Sequence, residues 1–370
     1  MKISILNFDL SNNSLGRAYI LAKMLSKKYE VEILGPKFDK TIWSPIISDK
    51  SIKYVILSKS LKDIKTTLNQ INGDIIYAVK PYGTSFGYAL LKKFLNRIPI
   101  IFDEDDWDFG FFLDNSQSNF LIELLYVNLL DINNPLYTYI LGKLSFLANE
   151  KTVSTTFLQK KFGGTIIPHA RDKKMFIVNK SEVEKVKNKY NPNNKKVIMF
   201  YGTVRKHKGL DLIISAIDLL NRNDIIFIIV GVTDSDRNML PNRAFIKTIP
   251  PQNFENLANI LDLATLVVLP QKKSYSSLGQ IPAKLFDAMA MGKPVIASNI
   301  SDFPIILKDC GLIFETDNVT DLAKKIKYLF DYPKIADQMG RKAREKFIKN
   351  YSFEAVENKL LTIIETISKK

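Results

Sequence analysis

The stretch that decides the fold of this chain is LPQKKSYSSLGQIPAKLFDAMAMGKPVIAS, residues Leu269–Ser298. It begins with a polar, serine-rich segment, Gln271–Gln280, which predicts a loop. Pro282 follows, and proline favours the first turn of a helix because the amide hydrogen that it lacks would have no intrahelical partner there. The residues AKLFDAMAM after it are strong helix formers with apolar side chains at helical spacing. The sequence therefore predicts a loop that enters a helix.

The residues after this helix predict a strand. Gly292 and Pro294 end the helix, glycine as a C-terminal cap and proline as a residue that cannot continue it. The letters VIA at 295–297 then indicate a short buried strand. A polar loop that enters a helix beside a parallel strand presents free backbone amides and the positive end of the helix dipole. The stretch therefore predicts an α/β fold with an anion site.

The same stretch resembles the donor-binding segment of a large enzyme family, the retaining, nucleotide-sugar-dependent glycosyltransferases of family 4 (glycosyl transferases group 1). In that family the segment reads E-x7-E-A-M-A-x-G-x-P-V-I-A-S, with two acidic residues eight positions apart. Here the second acid is Asp287, and the first falls on Gly279. The resemblance implies the GT-B fold, in which two Rossmann-like α/β domains face each other across a cleft. It also implies a hexosyltransferase-type activity in that cleft.

Length and composition set outer limits. A chain of 370 residues predicts two domains, and 46% hydrophobic with 25% charged residues is ordinary for a globular enzyme. The single Cys310 excludes an intramolecular disulfide and a multi-cysteine metal site, and it suits a reducing cytoplasm. The first ten residues indicate a strand rather than a signal peptide. The most apolar segment, Asn119–Leu147, is interrupted by charges and predicts one or two buried helices.

The net charge of +15 favours polyanionic partners. Diphosphate-bearing substrates and an anionic membrane surface fit that charge, whereas no nucleic-acid-binding motif accompanies it. We expect a nucleotide sugar and a saccharide or lipid-linked acceptor as partners, no nucleic acid, and a cytoplasmic protein with possible peripheral membrane attachment. The alternative is a solvated, lysine-rich surface with no specific partner.

The chain alternates predicted strands and helices, which favours parallel sheets with helices on both faces. Ligands of such sheets bind beyond the carboxyl ends of the strands. Together with the resemblance, this order predicts four segments: an N-terminal acceptor domain over residues 1–172, a linker over 173–196, a donor domain over 197–350, and a helix over 351–370 that crosses back to the N-terminal domain.

Two loops of the predicted N-terminal domain carry candidate ligands. Gly16 and Arg17 open the first helix, where an amide and a guanidinium could meet a phosphate or the acceptor; an ordinary capping turn is the alternative. The loop Pro168–Asp172 resembles the segment that closes this domain in the family. That resemblance implies that His169 and Arg171 lie near the cleft, although a lone histidine is as readily structural.

An acidic run follows the predicted strand Ile98–Phe102 and contains Asp103, Glu104, Asp105, Asp106 and Asp108. Close carboxylates repel one another, so the run has to be solvated, bound to a cation, or functional. Three interpretations stay open: a divalent-metal site, carboxylates directed at sugar hydroxyls with one acting as a base, or a solvated loop. Many members of the family have a histidine near this strand end that contacts the donor sugar. No histidine stands here, which leaves that place to Asp105 or Asp106 as candidate catalytic residues.

A basic turn follows the predicted strand Val197–Tyr201 and reads GTVRKHKG. Gly202 makes the turn, and two cations at a strand-to-helix turn suit a diphosphate, with a solvated basic turn as the alternative. The resemblance implies that an arginine and a lysine here neutralise the leaving diphosphate. The family's arginine position falls on Thr203, so Arg205 takes that role beside Lys208.

The resemblance implies the remaining donor contacts and leaves the chemistry free of metal and cofactor. Asp287 would accept hydrogen bonds from ribose hydroxyls, and the turn near Lys247–Pro250, which includes Ile249, would hold the base largely through backbone atoms. The loop and helix start would contact the sugar diphosphate through Ser277, Gly279, Gln280, Ile281, Pro282 and Ala283. Two other functions fit the scaffold: a catalytically inactive nucleotide-sugar-binding protein, motivated by the missing acid and histidine, and an epimerase or phosphorylase.

Overall fold

The computed structural model describes residues 1–47, 49–116 and 128–369 and divides the chain into two compact units. The N-terminal unit comprises Met1–His169, Leu278–Gln280 and Val356–Lys370. The C-terminal unit comprises Ala170–Ser277 and Ile281–Ala355. None of the helices in the described ranges combines the length and the apolar character that a membrane crossing requires.

The N-terminal unit contains one parallel sheet in the order β3-β2-β1-β4-β5-β6-β7. Its strands are β1 Lys2–Asn7, β2 Glu30–Gly35, β3 Lys53–Ile56, β4 Ile75–Val79, β5 Ile100–Glu104, β6 Glu150–Val153 and β7 Thr165–Ile166. The central strands β4, IIYAV, and β5, IIFDE, are buried at every position, as expected when helices cover both faces of a parallel sheet. Six of the strands were predicted; the two-residue β7 is too short to give a pattern.

Helices connect and cover these strands. They are α1 Leu15–Leu25, α2 Ile64–Gln70, α3 Tyr88–Asn96, α4 Asp108–Asn115, α5 Pro135–Lys143 and α6 Thr156–Phe162. Of the apolar segment predicted to form buried helices, residues 119–127 lie outside the described part of the chain, whereas its end forms α5 and a 3₁₀ turn over Leu144–Leu147. β1 and β4 are neighbours in the sheet. Their carboxyl ends lie side by side at the point from which the chain connections lead to opposite edges of the sheet.

The C-terminal unit repeats this plan with a sheet in the order β10-β9-β8-β11-β12-β13, again parallel throughout. Its strands are β8 Lys196–Tyr201, β9 Ile225–Val230, β10 Ile246–Ile249, β11 Leu266–Leu269, β12 Val295–Ser298 and β13 Leu312–Phe314. Two Rossmann-like sheets confirm the predicted fold class. Each has the strand order in which ligands bind where the connections diverge.

The helices of this part of the chain are α7 Lys180–Tyr190, α8 Leu210–Leu220, α9 Asp234–Arg237, α10 Phe254–Leu261, α11 Tyr275–Gly279, α12 Lys284–Ala290, α13 Phe303–Ile306, α14 Val319–Asp331, α15 Pro333–Asn350 and α16 Phe353–Ser368. A hydrophobic core forms where α8 and α14 cover the sheet. The segment predicted as a linker contains α7 and belongs to the C-terminal unit, in which the amide of Asn179 donates to the side chain of Asn259 at 2.8 Å.

Candidate active site

The C-terminal unit has its topological switch point between β8 and β11, which are neighbours in the sheet. The chain leaves β8 toward β9 on one side and leaves β11 toward β12 on the other. Such divergence opens a crevice at the carboxyl ends of the two strands. Gly202, directly after β8, has a φ of 109°, a backbone conformation that favours glycine. The predicted basic turn therefore starts at the place where the fold itself forms a ligand site.

The basic turn is fixed against the end of β11. After Arg205, residues Lys206–Lys208 form a 3₁₀ turn that ends at Gly209, which has a φ of 69°. A Cβ atom on Gly209 would overlap the carbonyl oxygen of Pro270, so only glycine allows this close approach. Arg205 is exposed and Lys208 half-buried, so the structure brings both predicted cations to the predicted strand edge.

A third cation, Lys284, lies at the same edge and was missed by the sequence analysis. Its Nζ lies 4.2 Å from the centroid of the Phe200 ring. A Cβ on Gly202 would be 2.5 Å from this Nζ, which shows how closely the ammonium group covers the end of β8. A lysine in the first turn of a helix opposes the helix dipole, and that mismatch was the available sequence signal.

Burial lowers the pKa of Lys284 well below its usual value, and the positive charge of Lys208 lowers it further. The Asp287 carboxylate acts in the opposite direction, and Arg205 adds a smaller lowering effect. Within the described residues, Nζ of Lys284 donates no hydrogen bond and forms no ion pair. The site therefore contains a buried amine that is close to two cations and forms no ion pair within the described residues.

Gln271 lines the same narrow cavity as Lys208 and Lys284, together with Phe200 and Pro282. Its side chain is 2% exposed, and neither amide atom has a hydrogen-bond partner among the described residues. Buried amides are normally hydrogen-bonded, because an unmet donor or acceptor costs about 1–3 kcal/mol. The unmet amide of Gln271 beside Lys208 and Lys284 is a second feature that indicates binding of a polar ligand.

The helix entered from the polar loop differs from the prediction. Tyr275–Gly279 forms the short helix α11 instead of a loop, and α12 begins at Lys284 and contains seven residues. The amide of Leu285 donates to Pro282 O and that of Phe286 to Ala283 O. The predicted anion site on the free amides before α12 stays a prediction, and side chains add positive charge at this edge.

Two further donor contacts predicted around this helix are engaged inside the protein. Ser277 is buried, and its hydroxyl donates to the carbonyl of Ser274 at 2.9 Å, which stabilises the start of α11. The Nε of Arg171 donates to Asp287 Oδ1 at 2.6 Å. Burial raises the pKa of Asp287, and Arg171 opposes that rise. The carboxylate predicted to accept from a ribose thus already has one strong partner. Ile281, also predicted, is buried.

Ile249 does not match the predicted base contact through its carbonyl group. It is the last residue of β10 and 1% exposed. Its carbonyl oxygen accepts from the amides of Gly231 at 2.8 Å and Val232 at 3.1 Å. A carbonyl oxygen has two lone pairs, so both are used by the protein. The carbonyl of Ile249 is therefore engaged within the protein, and the base contact in the turn near Lys247–Pro250 stays a prediction.

Arg17 is a structural residue, which corrects its prediction as a phosphate ligand. Its side chain is fully buried, with Nε and Nη2 donating to the two oxygens of Asp103 at 2.9 and 2.8 Å. Nη2 and Nη1 also donate to the carbonyls of Ile167 and Pro168. The adjacent Gly16 lies near Trp43, where a Cβ atom would come within 3.2 Å of the ring. This pair ties α1 to β5 and to the end of the N-terminal sheet.

The acidic run of the N-terminal unit is buried around a cation, Lys80, that the sequence analysis missed. Asp103 and Glu104 belong to β5 and are fully buried, which corrects the interpretation as a solvated loop. Nζ of Lys80 lies 3.1 Å from Asp105, 3.7 Å from Asp106 and 2.9 Å from Asp108. Lys80 directly follows β4, the neighbour of β5, so its place after a predicted strand was the available signal.

Charge and burial compete within this cluster. Burial lowers the pKa of Lys80, but the surrounding carboxylates, Asp105 first, raise it well above its usual value. Burial raises the pKa of Asp108 to about 6, against the pull of Lys80. Nε2 of His169 is 3.8 Å from Asp105 Oδ2, so the predicted histidine does reach the cluster. No three His, Cys, Asp or Glu side chains of the described ranges are grouped as a metal site would need.

The position of the missing acid, Gly279, is packed against Trp107 within the N-terminal unit. A Cβ on Gly279 would be 2.9 Å from Trp107 Cβ and 3.1 Å from its backbone nitrogen. The next residue, Gln280, donates from Nε2 to Asp106 Oδ1 at 3.1 Å. A side chain at position 279, where the family has an acid, would therefore press against Trp107 in this structure.

Residues 182–346, which contain the basic turn and the helix after it, match the model of a family described as Glycosyl transferases group 1. This segment is similar to that family. The match confirms the resemblance to glycosyl transferases group 1 that was read from residues 269–298. The family segment covers β8 to β13 and so includes Arg205, Lys208 and Lys284.

Curated relatives agree with the family segment. An uncharacterized glycosyltransferase of Methanocaldococcus jannaschii is 26% identical over 172 residues, which cover 45% of this chain and 46% of that protein. The alpha-D-kanosaminyltransferase of Streptomyces kanamyceticus is 22% identical over 194 residues, covering 49% and 48%. The chain spans about half the length of the curated relatives it matches.

Among solved structures, Anabaena HepE in complex with UDP-glucose matches 99% of this chain with 100% of its own, at a TM-score of 0.79 and 14% identity. This likeness shows the fold, and it confirms two Rossmann-like units of the GT-B type.

Proposed function

We propose that this protein is a metal-independent, retaining glycosyltransferase that moves a sugar from a nucleotide-diphosphate sugar to a saccharide or lipid-linked acceptor. The observation that carries the proposal is the pair Arg205 and Lys208 at the switch point of the family segment. HepE, which shares the fold, was solved in complex with UDP-glucose, and that ligand supports a nucleotide sugar as the donor. We assign the donor to the C-terminal unit and the acceptor to the N-terminal unit.

The chemistry follows from where charge develops. The bond between the anomeric carbon and the diphosphate oxygen breaks, and the diphosphate leaves with the bonding electrons. The acceptor oxygen bonds to the same face of the sugar and transfers its proton to a base, for which this proposal offers Asp105 or Asp106. Arg205 and Lys208 are placed to stabilise the growing negative charge of the leaving group, and preorganised charges of this kind lower the barrier without reorganisation during the reaction. A metal ion is not needed for that neutralisation.

In this proposal the carboxylates around Lys80 serve the sugars. Asp105 and Asp106 are held at the carboxyl end of β5, and carboxylate oxygens accept hydrogen bonds from sugar hydroxyls. Lys80 compensates part of their charge and lowers the pKa of Asp105, although burial of this carboxylate acts in the opposite direction. We therefore propose hydroxyl recognition, with one of the two available as a base, as the role of the acidic run.

We expect one member of a panel of UDP-, GDP- and ADP-sugars to release its nucleotide when a suitable acceptor is present. Because side chains neutralise the diphosphate in this proposal, the rate should be unchanged when EDTA is added to protein previously dialysed against chelator. The measurement is nucleotide release by coupled assay, with addition of Mg²⁺ or Mn²⁺ as the reciprocal control. A rate that falls at least tenfold in chelator and returns with metal would contradict metal independence.

The packing of Gly279 against Trp107 favours one alternative, a protein that binds the nucleotide sugar without transferring it. The same panel separates the two functions. Saturable binding of one donor without release of nucleotide, across saccharide and lipid-linked acceptors, would favour the inactive binding protein.

An exposed apolar patch supports the proposal of peripheral membrane attachment. It consists of Leu91, Phe94 and Leu95 on α3 and Phe146 in the 3₁₀ turn that follows α5. Phe94 is 65% exposed and Phe146 is 68% exposed. The Nζ of Lys93 donates to the carbonyl of Leu147 at 2.6 Å, which ties α3 to that turn. Lys93 and Arg97 on the same helix add positive charge. Apolar side chains among cations fit an anionic lipid surface.

Vesicle sedimentation tests this attachment. We expect the protein to sediment with vesicles of phosphatidylglycerol and phosphatidylcholine but far less with phosphatidylcholine alone. The double variant Phe94→Ser/Phe146→Ser should bind at least tenfold more weakly, because each buried phenylalanine contributes about 1.5–3 kcal/mol. Ile305→Ser removes an equally exposed apolar residue of the C-terminal unit and should bind like wild type. Equal loss in both variants, or none in either, would contradict the patch as the contact.

A further inference from the structure

The edge of the C-terminal unit where Arg205 and Lys208 lie contains a lysine and an amide whose side chains have no hydrogen-bond partner within the described residues. Nζ of Lys284 donates no hydrogen bond within the described residues, and both amide atoms of the buried Gln271 are unmatched. They line one cavity with Lys208, which the proposed function already assigns to the diphosphate. Three polar side chains that line one narrow cavity have a common explanation if a strongly polar ligand binds at this edge of the sheet.

We infer that Lys284 is a third cation of the donor site and that it binds the diphosphate together with Gln271. This inference rests on the proposed function, because it takes the donor to be a nucleotide-diphosphate sugar. Lys284 supplies a charged donor, and the amide of Gln271, which lines the same cavity, supplies a neutral donor. A diphosphate has several anionic oxygens, so it can satisfy both side chains and Lys208 at once.

The packing of β8 shows that the ammonium group is held in place before any ligand arrives. The Tyr201 hydroxyl donates to the backbone carbonyl of Lys284, which fixes the start of α12 against β8. The ring of Phe200 covers one side of Nζ at 4.2 Å, and the absence of a side chain on Gly202 gives Nζ its place. A cation positioned in advance loses little entropy on binding, which is a reason for affinity.

The charges that face Lys284 explain why a ligand is needed. Lys208 and Arg205 face it from the turn after β8, and both disfavour a charged amine. Asp287 on its own helix favours the charge, but this carboxylate is already bonded to Arg171. Tyr201 on β8 is buried, and burial raises its pKa well above the usual value, so it stays neutral. Burial of Lys284 itself also lowers its pKa.

A bound diphosphate reverses this balance, because opposite charge favours the protonated amine. Lys284 should therefore take up a proton when the ligand binds. The sign follows from linkage: above the pKa of the free lysine, affinity falls as the pH rises, by up to about tenfold per pH unit for one coupled proton. Below that pKa the amine is already charged and this dependence disappears.

Isothermal titration with inorganic pyrophosphate tests the inference, because pyrophosphate has the diphosphate but no base or sugar. UDP and ADP serve as further probes. Titrations in buffers of different ionisation enthalpy count the protons taken up. We expect Lys284→Met to weaken pyrophosphate binding at least tenfold and to abolish the proton uptake, whereas Lys284→Arg keeps the affinity and loses the pH dependence. Gln271→Leu should weaken binding by a smaller factor. Lys324→Met, at an exposed lysine of α14, should behave like wild type.

The outcomes separate the two claims. If wild type binds pyrophosphate, Lys208→Ala loses it, and Lys284→Met binds like wild type, the inference is wrong and the proposed function stands. If wild type binds no pyrophosphate and releases nucleotide from no donor, the proposed function itself fails. Thermal melts accompany each variant, and Lys284→Met should melt no lower than wild type because it removes a buried, unmatched amine. If it does not fold, Lys284→Arg and Gln271→Leu decide the inference.

Discussion

Replacing Lys208 with alanine should lower the turnover of the nucleotide sugar by about 100- to 1,000-fold, the loss typical when one preorganised group facing a developing negative charge is removed. Gly209 and the end of β11 hold this lysine at the switch point, so its charge is in place before the diphosphate begins to leave. An interaction that strengthens as the bond breaks appears mainly in kcat, with a smaller change in KM. Steady-state kinetics on the active donor measure both.

Lys206→Ala is the matched control. Lys206 is exposed and lies two residues before Lys208 in the same turn. Lys206→Ala therefore changes the net charge by the same amount as Lys208→Ala but leaves the cavity unchanged. We expect its kcat within about threefold of wild type. If both variants lose activity equally, the effect comes from general charge on the turn, and the role assigned to Lys208 is wrong.

Breaking the buried pair of Arg17 and Asp103 should have the largest effect on stability. In Arg17→Met, Asp103 stays buried without its cation, and such a loss costs about 3–5 kcal/mol. The remaining partner of the carboxylate is the hydroxyl of Thr152, which donates at 2.6 Å and compensates only in part. We expect the first unfolding transition in urea to move to a lower concentration by that amount of free energy.

Two comparisons define the result. Lys27→Met breaks an exposed ion pair with Glu357 and should change stability by at most about 1 kcal/mol. The double variant Arg17→Met/Asp103→Leu should regain much of the loss, because it removes the unpaired charge rather than leaving it buried. A change for Arg17→Met no larger than that for Lys27→Met would show that the pair does not stabilise the fold.

The strands could be predicted because their signal is local. Runs such as IIYAV at 75–79 and IIFIIV at 225–230 are apolar on both faces, which in an alternating chain indicates a buried parallel strand. The order of elements then gave the sheets and, through them, the edge where the basic turn lies. Arg205 and Lys208 were predicted in this way, because their prediction requires only that they follow β8 in the sequence.

The partners of charged residues could not be predicted, because they are set by contacts between distant parts of the chain. Arg17 meets Asp103 across 86 positions, and Arg171 meets Asp287 across 116. A sequence shows that an arginine follows a loop, but not which carboxylate neutralises it. Lys80 illustrates this. From the sequence alone, the acidic run was expected to need solvent, a cation or a function. In the structure, Lys80 compensates part of the negative charge of the run.

The contact between Gly209 and Pro270 has a consequence for how sequence variation in this protein should be interpreted. Any change in the first or second base of a glycine codon replaces the residue, and every replacement here would push the basic turn away from β11. Such a change would disable the donor edge while every lysine and arginine in it remained. A survey of natural variants that scores only charged residues would count these proteins as intact.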